Sequence, residues 1–77
     1  MANAYVLIQN EPARSGEVAK AIGAVAGVTG VASLVGPYDI IARIDAEDFD
    51  AISRVVLNGI QAVTGVTRTL TCPVAHF

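Results

Sequence analysis

The 77-residue sequence contains one cysteine, one histidine and no tryptophan, and only 16% of its residues are charged. A single cysteine excludes an internal disulfide framework, and one histidine beside it leaves too few ligands for a structural metal site, unless a site is shared between chains. A chain of this length buries only about 60% of the surface that its unfolded form exposes. Because 53% of the residues are hydrophobic, we expect the domain to gain stability by associating with other chains.

The compartment and the partners of the protein are constrained in the same way. The unpaired Cys72 favours a reducing compartment, and we expect the cytoplasm. The N-terminal segment has neither the basic start of a signal peptide nor the long apolar run of a membrane span. The five basic residues are scattered and are outnumbered by seven acidic residues. Since nucleic-acid binding needs a basic stripe to neutralise phosphates, direct binding to DNA or RNA is not expected.

Hydrophobic periodicity predicts four strands and two helices in the order βαββαβ, within a single domain that covers residues 1–77. Strand one is apolar on both faces, which indicates a central strand. The second helix has three acidic residues near its start, where the helix dipole favours negative charge. The predicted elements are strand one at Ala4–Gln9, helix one at Ala13–Ala26, strand two at Val28–Val35, strand three from Tyr38 to Asp45, helix two from about Ala46 towards Gly65, and strand four from Val66 towards Phe77.

The tripeptide Gly-Val-Thr occurs twice, at residues 27–29 and 65–67, each time between a predicted helix and a predicted strand. This repeat indicates two copies of one β-α-β unit, and both glycines are predicted to be helix C-caps. Two such units form a ferredoxin-like α+β sandwich with a four-stranded antiparallel sheet, in which strands one and three are central. Pro73 fits the edge strand four, because an edge position tolerates the missing N–H.

Both predicted helices cover the same face of this sheet, so the opposite face has no cover within the domain. Strand one places apolar side chains on that opposite face, whichever way the strand is oriented. A bare apolar sheet face indicates an interaction site. The simplest expectation is a homodimer that packs sheet against sheet.

The sequence holds no set of residues that is typical of catalysis, so we predict no catalytic residue, metal or cofactor, and no enzyme. Cys72 and His76 lie about 13 Å apart along one strand, which is too far for an ion pair. Asp39 and Asp45 lie about 20 Å apart, which excludes joint acid–base work. Arg43 is expected to pair with one of these carboxylates.

Residues 36–39, Gly-Pro-Tyr-Asp, combine a glycine, a rigid proline, an aromatic ring and a carboxylate between strands two and three. The same residue types are common in hairpin turns, so an ordinary turn explains the pattern equally well. The row of Thr67, Thr69 and Thr71 likewise has a structural and a ligand-binding interpretation. Threonine suits an exposed strand, and a row of hydroxyls is also suited to border a small polar ligand.

Taken in order, the Gly36-x-Tyr38-Asp39 turn, the acidic helix start and the Gly-Val-Thr-x-Thr-x-Thr strand resemble the ligand-binding domain of the Lrp/AsnC family, also called the RAM module. The resemblance covers residues 4–75. It implies a homodimer that assembles into a higher oligomer and binds amino acids between neighbouring dimers, against the loop between strands two and three. The ligand-binding residues that it implies are Val35, Gly36, Pro37, Tyr38 and Asp39.

Two features differ from the usual pattern of this family. Pro37 stands where a polar or acidic residue is usual, and it removes an N–H that a ligand carboxylate would meet. Family members typically carry a helix-turn-helix ahead of this domain, whereas here the domain begins near Ala4. We therefore expect a stand-alone domain without its own DNA-binding segment, which acts by mixed assembly with full-length regulators of the family.

Two other functions remain as alternatives. One is an oligomerisation module that binds no ligand, whose assembly mass would stay fixed across effectors. The other is a small ferredoxin-like dimeric-barrel enzyme with His76 or Asp39 as a catalytic group. Loss of a measured turnover on substituting His76 by alanine would favour the enzyme.

Overall fold

A computed structural model describes residues 1–75, and it has the predicted order of strands and helices. The elements are β1 (Ala2–Asn10), α1 (Ser15–Gly23), β2 (Val28–Ser33), β3 (Ile40–Ala46), α2 (Phe49–Arg54), which continues as a π-helical segment (Val55–Ile60), and β4 (Val66–Pro73). His76, the histidine weighed as a catalytic group, lies outside the described residues. Within residues 1–75, no helix has the length and apolar character needed to cross a membrane.

The four strands form one antiparallel sheet in the order β2-β3-β1-β4. This confirms the ferredoxin-like prediction, with β1 and β3 in the centre and β2 and β4 at the edges. Val6 of β1, for example, pairs with Ala42 on one side and with Thr71 on the other. Pro73 is the last residue of β4, where its missing N–H leaves no ladder position empty inside the sheet.

The hydrophobic core lies between the sheet and the helices, and every second residue of the central strands contributes to it. In β1 the even-numbered residues are buried, whereas Tyr5 on the other face is exposed. The largest fully buried side chains are all β-branched, and their few rotamers suit a fixed core. They are Ile8, Ile22, Ile40, Ile44, Ile52, Ile60, Val6 and Val18.

The two Gly-Val-Thr copies form turns that lead into the edge strands, so the prediction that their glycines cap helices is wrong. The helix α1 ends at Gly23 with Ala24 as its C-cap. Gly27 and Gly65 have φ angles of 97° and 100°. The Val28 N–H donates to the Val25 carbonyl at 3.1 Å, and the Val66 N–H donates to the Val63 carbonyl at 3.2 Å. Glycine is favoured because the third position of such a turn has a positive φ.

Three predicted elements are shorter in the structure because turn geometry replaces their ends. Ala13 has a φ of 65°, which a right-handed helix does not allow, so α1 begins only at Ser15. β2 ends at Ser33 instead of Val35, and β3 begins at Ile40 instead of Tyr38. The residues between these two strands form a loop that is longer than predicted.

The second helix begins later than predicted, because β3 extends to Ala46 and Asp48 is the N-cap. Asp48 is extended, with φ −154° and ψ 178°, and its carboxylate accepts a hydrogen bond from the Ala51 N–H at 2.8 Å. Aspartate is among the preferred residues for this position, since its side chain satisfies a free N–H of the first turn.

The helix then widens into the π-helical segment, which hydrophobic periodicity does not predict. The Gln61 N–H donates to the Val56 carbonyl at 2.8 Å, five residues earlier in the chain. Gly59 in this segment packs against Val25, and a Cβ on Gly59 would overlap the Val25 Cγ1. A residue without a side chain is therefore needed where the two halves of the chain meet.

Candidate ligand-binding site

The five residues predicted to bind a ligand lie together in the connection between β2 and β3. We call residues 34–39 the β2–β3 loop. Val35 at its tip is fully exposed, whereas Tyr38 and Asp39 are half-buried. A Cβ on Gly36 would find no atom within 4 Å. The loop therefore projects from one end of the sheet into solvent.

Three hydrogen bonds join the β2–β3 loop to the central strand β1. The Asp39 N–H donates to the Ile8 carbonyl at 2.9 Å. The Asp39 carboxylate accepts from the Asn10 N–H through Oδ2, also at 2.9 Å. The Gln9 side-chain amide donates to the Pro37 carbonyl at 2.8 Å. Asp39 thus anchors the loop with one carboxylate oxygen, and the loop is held in place before any ligand arrives.

The β2–β3 loop offers a ligand an aromatic ring and a carboxylate, but no cation. The Asp39 Oδ1 accepts no hydrogen bond within residues 1–75, and it is suited to an ammonium group. Pro37 has no N–H, and its carbonyl already accepts from Gln9. The carboxylate of an amino acid would therefore need donors from another part of the protein.

A polar groove runs along the edge strand β4, beside the end of the π-helical segment. Gln61 joins the two elements, since its Nε2 donates to the Thr69 Oγ1 at 2.9 Å. This cavity, which we call the β4 groove, measures about 300 Å³ and is lined by Gln61, Val66, Thr67, Arg68 and Thr69. A second cavity of about 310 Å³ is also lined by Gln61 and Thr69, and it extends to Thr71. The threonine row therefore borders both cavities.

The β2–β3 loop and the β4 groove lie at the same end of the sheet, and Gln9 connects them. Gln9 pairs with Arg68 across β1 and β4, while its side chain bonds the Pro37 carbonyl. The Thr67 hydroxyl donates to the Gln9 carbonyl at 3.2 Å, next to the register shift between β1 and β4. Neither Gln61 nor Arg68 was predicted as a site residue. In the strand register Arg68 lies opposite Gln9 on the sheet face away from the helices, whereas Thr69 lies opposite the buried Ile8 on the helix side.

The sheet face away from the helices carries a row of apolar side chains that crosses all four strands. Neighbouring members of this row are Ala32 and Ile41, Ile41 and Leu7, and Leu7 and Leu70. Leu70 is 46% exposed, and Tyr5 in the next row is 39% exposed. We call this surface the exposed sheet face. The prediction of an apolar sheet face without cover in the chain is confirmed for the residues that the structure describes.

A polar network closes one end of the exposed sheet face. The Arg43 guanidinium donates to the Asp45 carboxylate at 3.3 Å and to the Tyr5 hydroxyl at 3.2 Å. Asp45 also accepts from the Asn3 amide and the Thr29 hydroxyl. These bonds, with Asn3 first, lower the pKa of Asp45, and the Asp45 charge raises the pKa of Arg43. The predicted pairing of Arg43 with an aspartate is confirmed, and the partner is Asp45.

Cys72 lies on the exposed sheet face, paired with Tyr5 across β1 and β4, and its side chain is free and exposed. Within residues 1–75, no group of three or more histidine, cysteine, aspartate or glutamate side chains is close enough to hold a metal ion.

Comparison with known proteins relates this fold to transcriptional regulators. Residues 3–76 match the family model of the Lrp/AsnC ligand binding domain. An uncharacterized HTH-type transcriptional regulator from Pyrococcus horikoshii is 32% identical over 88% of this chain and 47% of its own length. The chain therefore spans about half the length of this curated relative.

Solved structures share the fold along the chain. The protein TTHA0845 from Thermus thermophilus has a TM-score of 0.93 at 34% identity, covering 100% of this chain and 96% of that one. A transcriptional regulator from Neisseria meningitidis, solved as a complex with L-Met, has a TM-score of 0.84 at 21% identity. That match covers 97% of this chain and 50% of the regulator, and it shows likeness of fold.

Proposed function

The chain belongs to the Lrp/AsnC ligand-binding-domain family, and from this membership we propose that it is a regulatory protein that binds an amino acid and assembles as an oligomer. The match of residues 3–76 to the family carries the proposal. It is supported by the matched transcriptional regulator and by the relative that was solved with L-Met. The proposed role is regulatory and not enzymatic.

The homodimer forms through the exposed sheet face, and the row of apolar side chains gives its orientation. The row grows from the small Ala32 at the β2 edge to the large Leu70 at the β4 edge. A twofold axis parallel to the strands lays the small end of one copy over the large end of the other. Ala32 then packs against the partner's Leu70, and Ile41 packs against the partner's Leu7. The surface is complementary to itself in this orientation.

The amino acid binds at the β2–β3 loop, where a neighbouring dimer completes the site. The exposed tip at Val35 is available for such a contact, and the anchored Asp39 has one oxygen free for the ammonium group. A ligand at a contact between dimers changes the assembly state, because it stabilises whichever state it contacts better. Binding and assembly are therefore coupled.

The regulatory partners are full-length regulators that carry the same domain. A shared exposed sheet face allows mixed dimers, since the surface recognises its own pattern in another chain. The exposed free thiol of Cys72 favours a reducing compartment, and we place the protein in the cytoplasm.

An oligomerisation module that binds no ligand is the second candidate, and two observations favour it. Pro37 withholds an N–H, and Asp39 uses one carboxylate oxygen to anchor its own loop. Both reduce what the β2–β3 loop offers to an amino acid. In this alternative the loop serves only for contact between dimers.

Native mass spectrometry with and without the twenty amino acids, together with thermal unfolding, separates the two candidates. The regulatory proposal predicts even-numbered oligomers, bound mass of one amino acid per site, and a changed assembly. A ligand at about 100 times its dissociation constant adds about 2.7 kcal/mol, which raises the midpoint by several degrees. Constant mass and midpoint with every amino acid would establish the ligand-free module. A monomer under all conditions would contradict both candidates.

A further inference from the structure

Beside the apolar row of the exposed sheet face lies a second row of side chains, which carries one acid and one base. Arg68 at the β4 edge pairs with Gln9 across β1 and β4. The register of β1 and β3, continued by one pair, puts Asp39 on the other side of Gln9. Leu34 extends the row towards β2, since its N–H donates to the Asp39 carbonyl at 2.8 Å. We call Leu34, Asp39, Gln9 and Arg68 the charged row.

Neither charge of this row is fully paired within residues 1–75. The ion pairs among these residues involve only the arginines Arg14 and Arg43. Arg68 is exposed, and its side chain forms no ion pair and no hydrogen bond there. The Asp39 Oδ2 accepts from the Asn10 N–H, whereas Oδ1 accepts from no described residue. One end of the row therefore offers a free cation, and the other end offers a free acceptor oxygen.

The proposed twofold axis parallel to the strands brings these two charges together. It lays each row over the same row of the partner in reverse order, so the partner's Arg68 lies above Leu34, one strand spacing from Asp39. With about 4.8 Å between strands and about 10 Å between packed sheets, the Cα atoms of Asp39 and the partner's Arg68 are about 11 Å apart. An extended arginine and an aspartate span this distance. The arginine stem then covers Leu34, which is 38% exposed.

The other way of packing the two sheets face to face does not match the charges. A twofold axis perpendicular to the strands lays β3 over the partner's β3 and β4 over the partner's β4. Centred on Ala42, this axis brings Asp39 over the partner's Asp45, which is a second acid. It brings Arg68 over a strand that contains no acidic residue. The charges therefore favour the same orientation as the apolar row.

We propose that Arg68 forms an ion pair with the partner's Asp39, twice in each dimer, and that this pair selects which chains share the sheet-to-sheet contact. The inference rests on the proposed function and names the residues that make the exposed sheet face specific. A chain with the same domain fits when it has an acid and a base at these two places, whereas like charges repel. A carboxylate has about four lone-pair sites, so Asp39 keeps an acceptor for the ammonium group of a ligand.

A double-mutant cycle on the dimer tests the ion pair. Arg68→Gln and Asp39→Asn each remove one charge, and the amide at position 39 keeps an oxygen for the Asn10 N–H. Arg54→Gln is the matched control, because Arg54 is exposed at the end of α2 and has no ion pair within residues 1–75. Analytical ultracentrifugation gives each dissociation constant, circular dichroism shows that each variant is folded, and urea unfolding gives its stability.

We expect each single variant to weaken the dimer by about 10-fold, since two exposed ion pairs are lost. The double variant should be no weaker than either single variant, because one change already breaks the pair. The effect should shrink in about 1 M salt, where exposed charges are screened. Arg54→Gln should leave the dissociation constant unchanged.

An exchange of charges between two chains tests the selection of partners. Arg68→Glu places two acids together and Asp39→Lys places two bases together, so each variant alone should dimerise about 100-fold more weakly. In a mixture of the two, an acid again faces a base at both places, and heterodimers should form with about the native affinity. Native mass spectrometry counts the heterodimer and the two homodimers. The cycle with Asp39→Asn still decides the matter if Asp39→Lys, which has no acceptor for Asn10, does not fold.

The other outcomes separate this inference from the proposed function. Native-like dissociation constants in Arg68→Gln and Asp39→Asn overturn the ion pair and leave the dimer in place. Additive losses in the double variant also overturn it, since the two charges then act independently. A coupled loss of unfolding free energy at unchanged dissociation constants places the pair inside one chain. A native protein that stays monomeric overturns both the inference and the proposed assembly.

Discussion

The two faces of the sheet are built from alternate residues of the same strands, yet only one face is completed within the described chain. Ile40 is fully buried beneath the helices, whereas Ile41, the next residue, lies half-buried on the exposed sheet face. Asn10 is the single polar residue among the buried ones of residues 1–75, and the exposed face carries the pair of Arg43 and Asp45. One alternating pattern thus supplies a folding core on one side and, on the other, an apolar surface that the described residues leave uncovered.

The largest expected effect comes from comparing Ile40→Ala with Ile41→Ala. Truncation at Ile40 leaves a cavity in the core and should reduce the free energy of unfolding by about 2–5 kcal/mol at every protein concentration. Truncation at Ile41 should reduce it less, and by an amount that depends on protein concentration, because in the proposed dimer the Ile41 contact lies between two chains. Urea unfolding at two concentrations measures both. Equal, concentration-independent losses would mean that the exposed sheet face has no partner.

A charge at the β4 end of the apolar row should break the dimer. Leu70→Glu places an unpaired carboxylate in the interface, and we expect the dimer to dissociate about 100-fold more readily. Leu57→Glu is the matched control, since Leu57 is 61% exposed on the helix side. Analytical ultracentrifugation gives both dissociation constants. A dimer that tolerates Leu70→Glu but not Leu57→Glu would move the interface to the helices.

The helices pack only against the buried face of the sheet, so a loss of helix stability should leave the proposed dimer unchanged. The N-cap residue Asp48 allows this independence to be tested. Asp48→Ala removes the side-chain bond to the Ala51 N–H and should cost about 1 kcal/mol of unfolding free energy. The dissociation constant of the dimer should stay the same. A dimer weakened as strongly as the fold would show that the two faces are not independent. The Asp48→Asn variant, which retains a capping oxygen, should recover most of the loss.

The smallest expected effect is the pH dependence of the unfolding free energy, which arises from Asp45 on the exposed sheet face. The pKa of Asp45 is lowered in the folded protein by its hydrogen bonds, that from Asn3 first. The network therefore stabilises the fold above the ordinary aspartate pKa of about 3.9, and this contribution is lost as pH falls through the lowered value.

Unfolding of the native protein and of Asp45→Asn between pH 7 and pH 2.5 measures this contribution. The native protein should be the more stable of the two at pH 7, and the difference should shrink below about pH 4. Thr29→Val removes one donor to Asp45 and should show part of the same change. A constant difference across the range would mean that the carboxylate charge does not contribute.

The fold could be predicted from the sequence because its signals are local and periodic. Alternation in β1 and β3 defines the two faces, and the repeated glycines mark equivalent turns. The positions of the glycines were informative although their interpretation as caps was wrong. The φ angle of Ala13 and the chain direction after Gly23 decided where the helix begins and ends. Local patterns therefore give the elements and the sheet order, while the ends depend on turn geometry.

The candidate site could be predicted only in part, because its chemistry depends on contacts between distant residues. The turn pattern located the loop, and the ligand-binding roles of its five residues remain predictions. The hydrogen bond between Asp39 and Asn10 joins residues 29 positions apart. It engages one of the two carboxylate oxygens of Asp39, a residue predicted to bind the ligand, in holding the loop to β1. The contact of Gln61 with Thr69 depends on the π-helical segment, which the hydrophobic periodicity does not predict.

In the proposed dimer, a second copy covers the exposed sheet face with its β4 edge over β2. A half-filtered NOE experiment on a mixture of isotope-labelled and unlabelled protein tests this orientation directly. We expect an intermolecular signal between the methyl groups of Ala32 and the partner's Leu70. Within one chain these residues lie on opposite edges of the sheet, three strand spacings or about 14 Å apart, so the signal cannot arise inside a monomer. Intermolecular signals that involve only helix residues such as Leu57 would place the interface on the helices and overturn the proposed dimer.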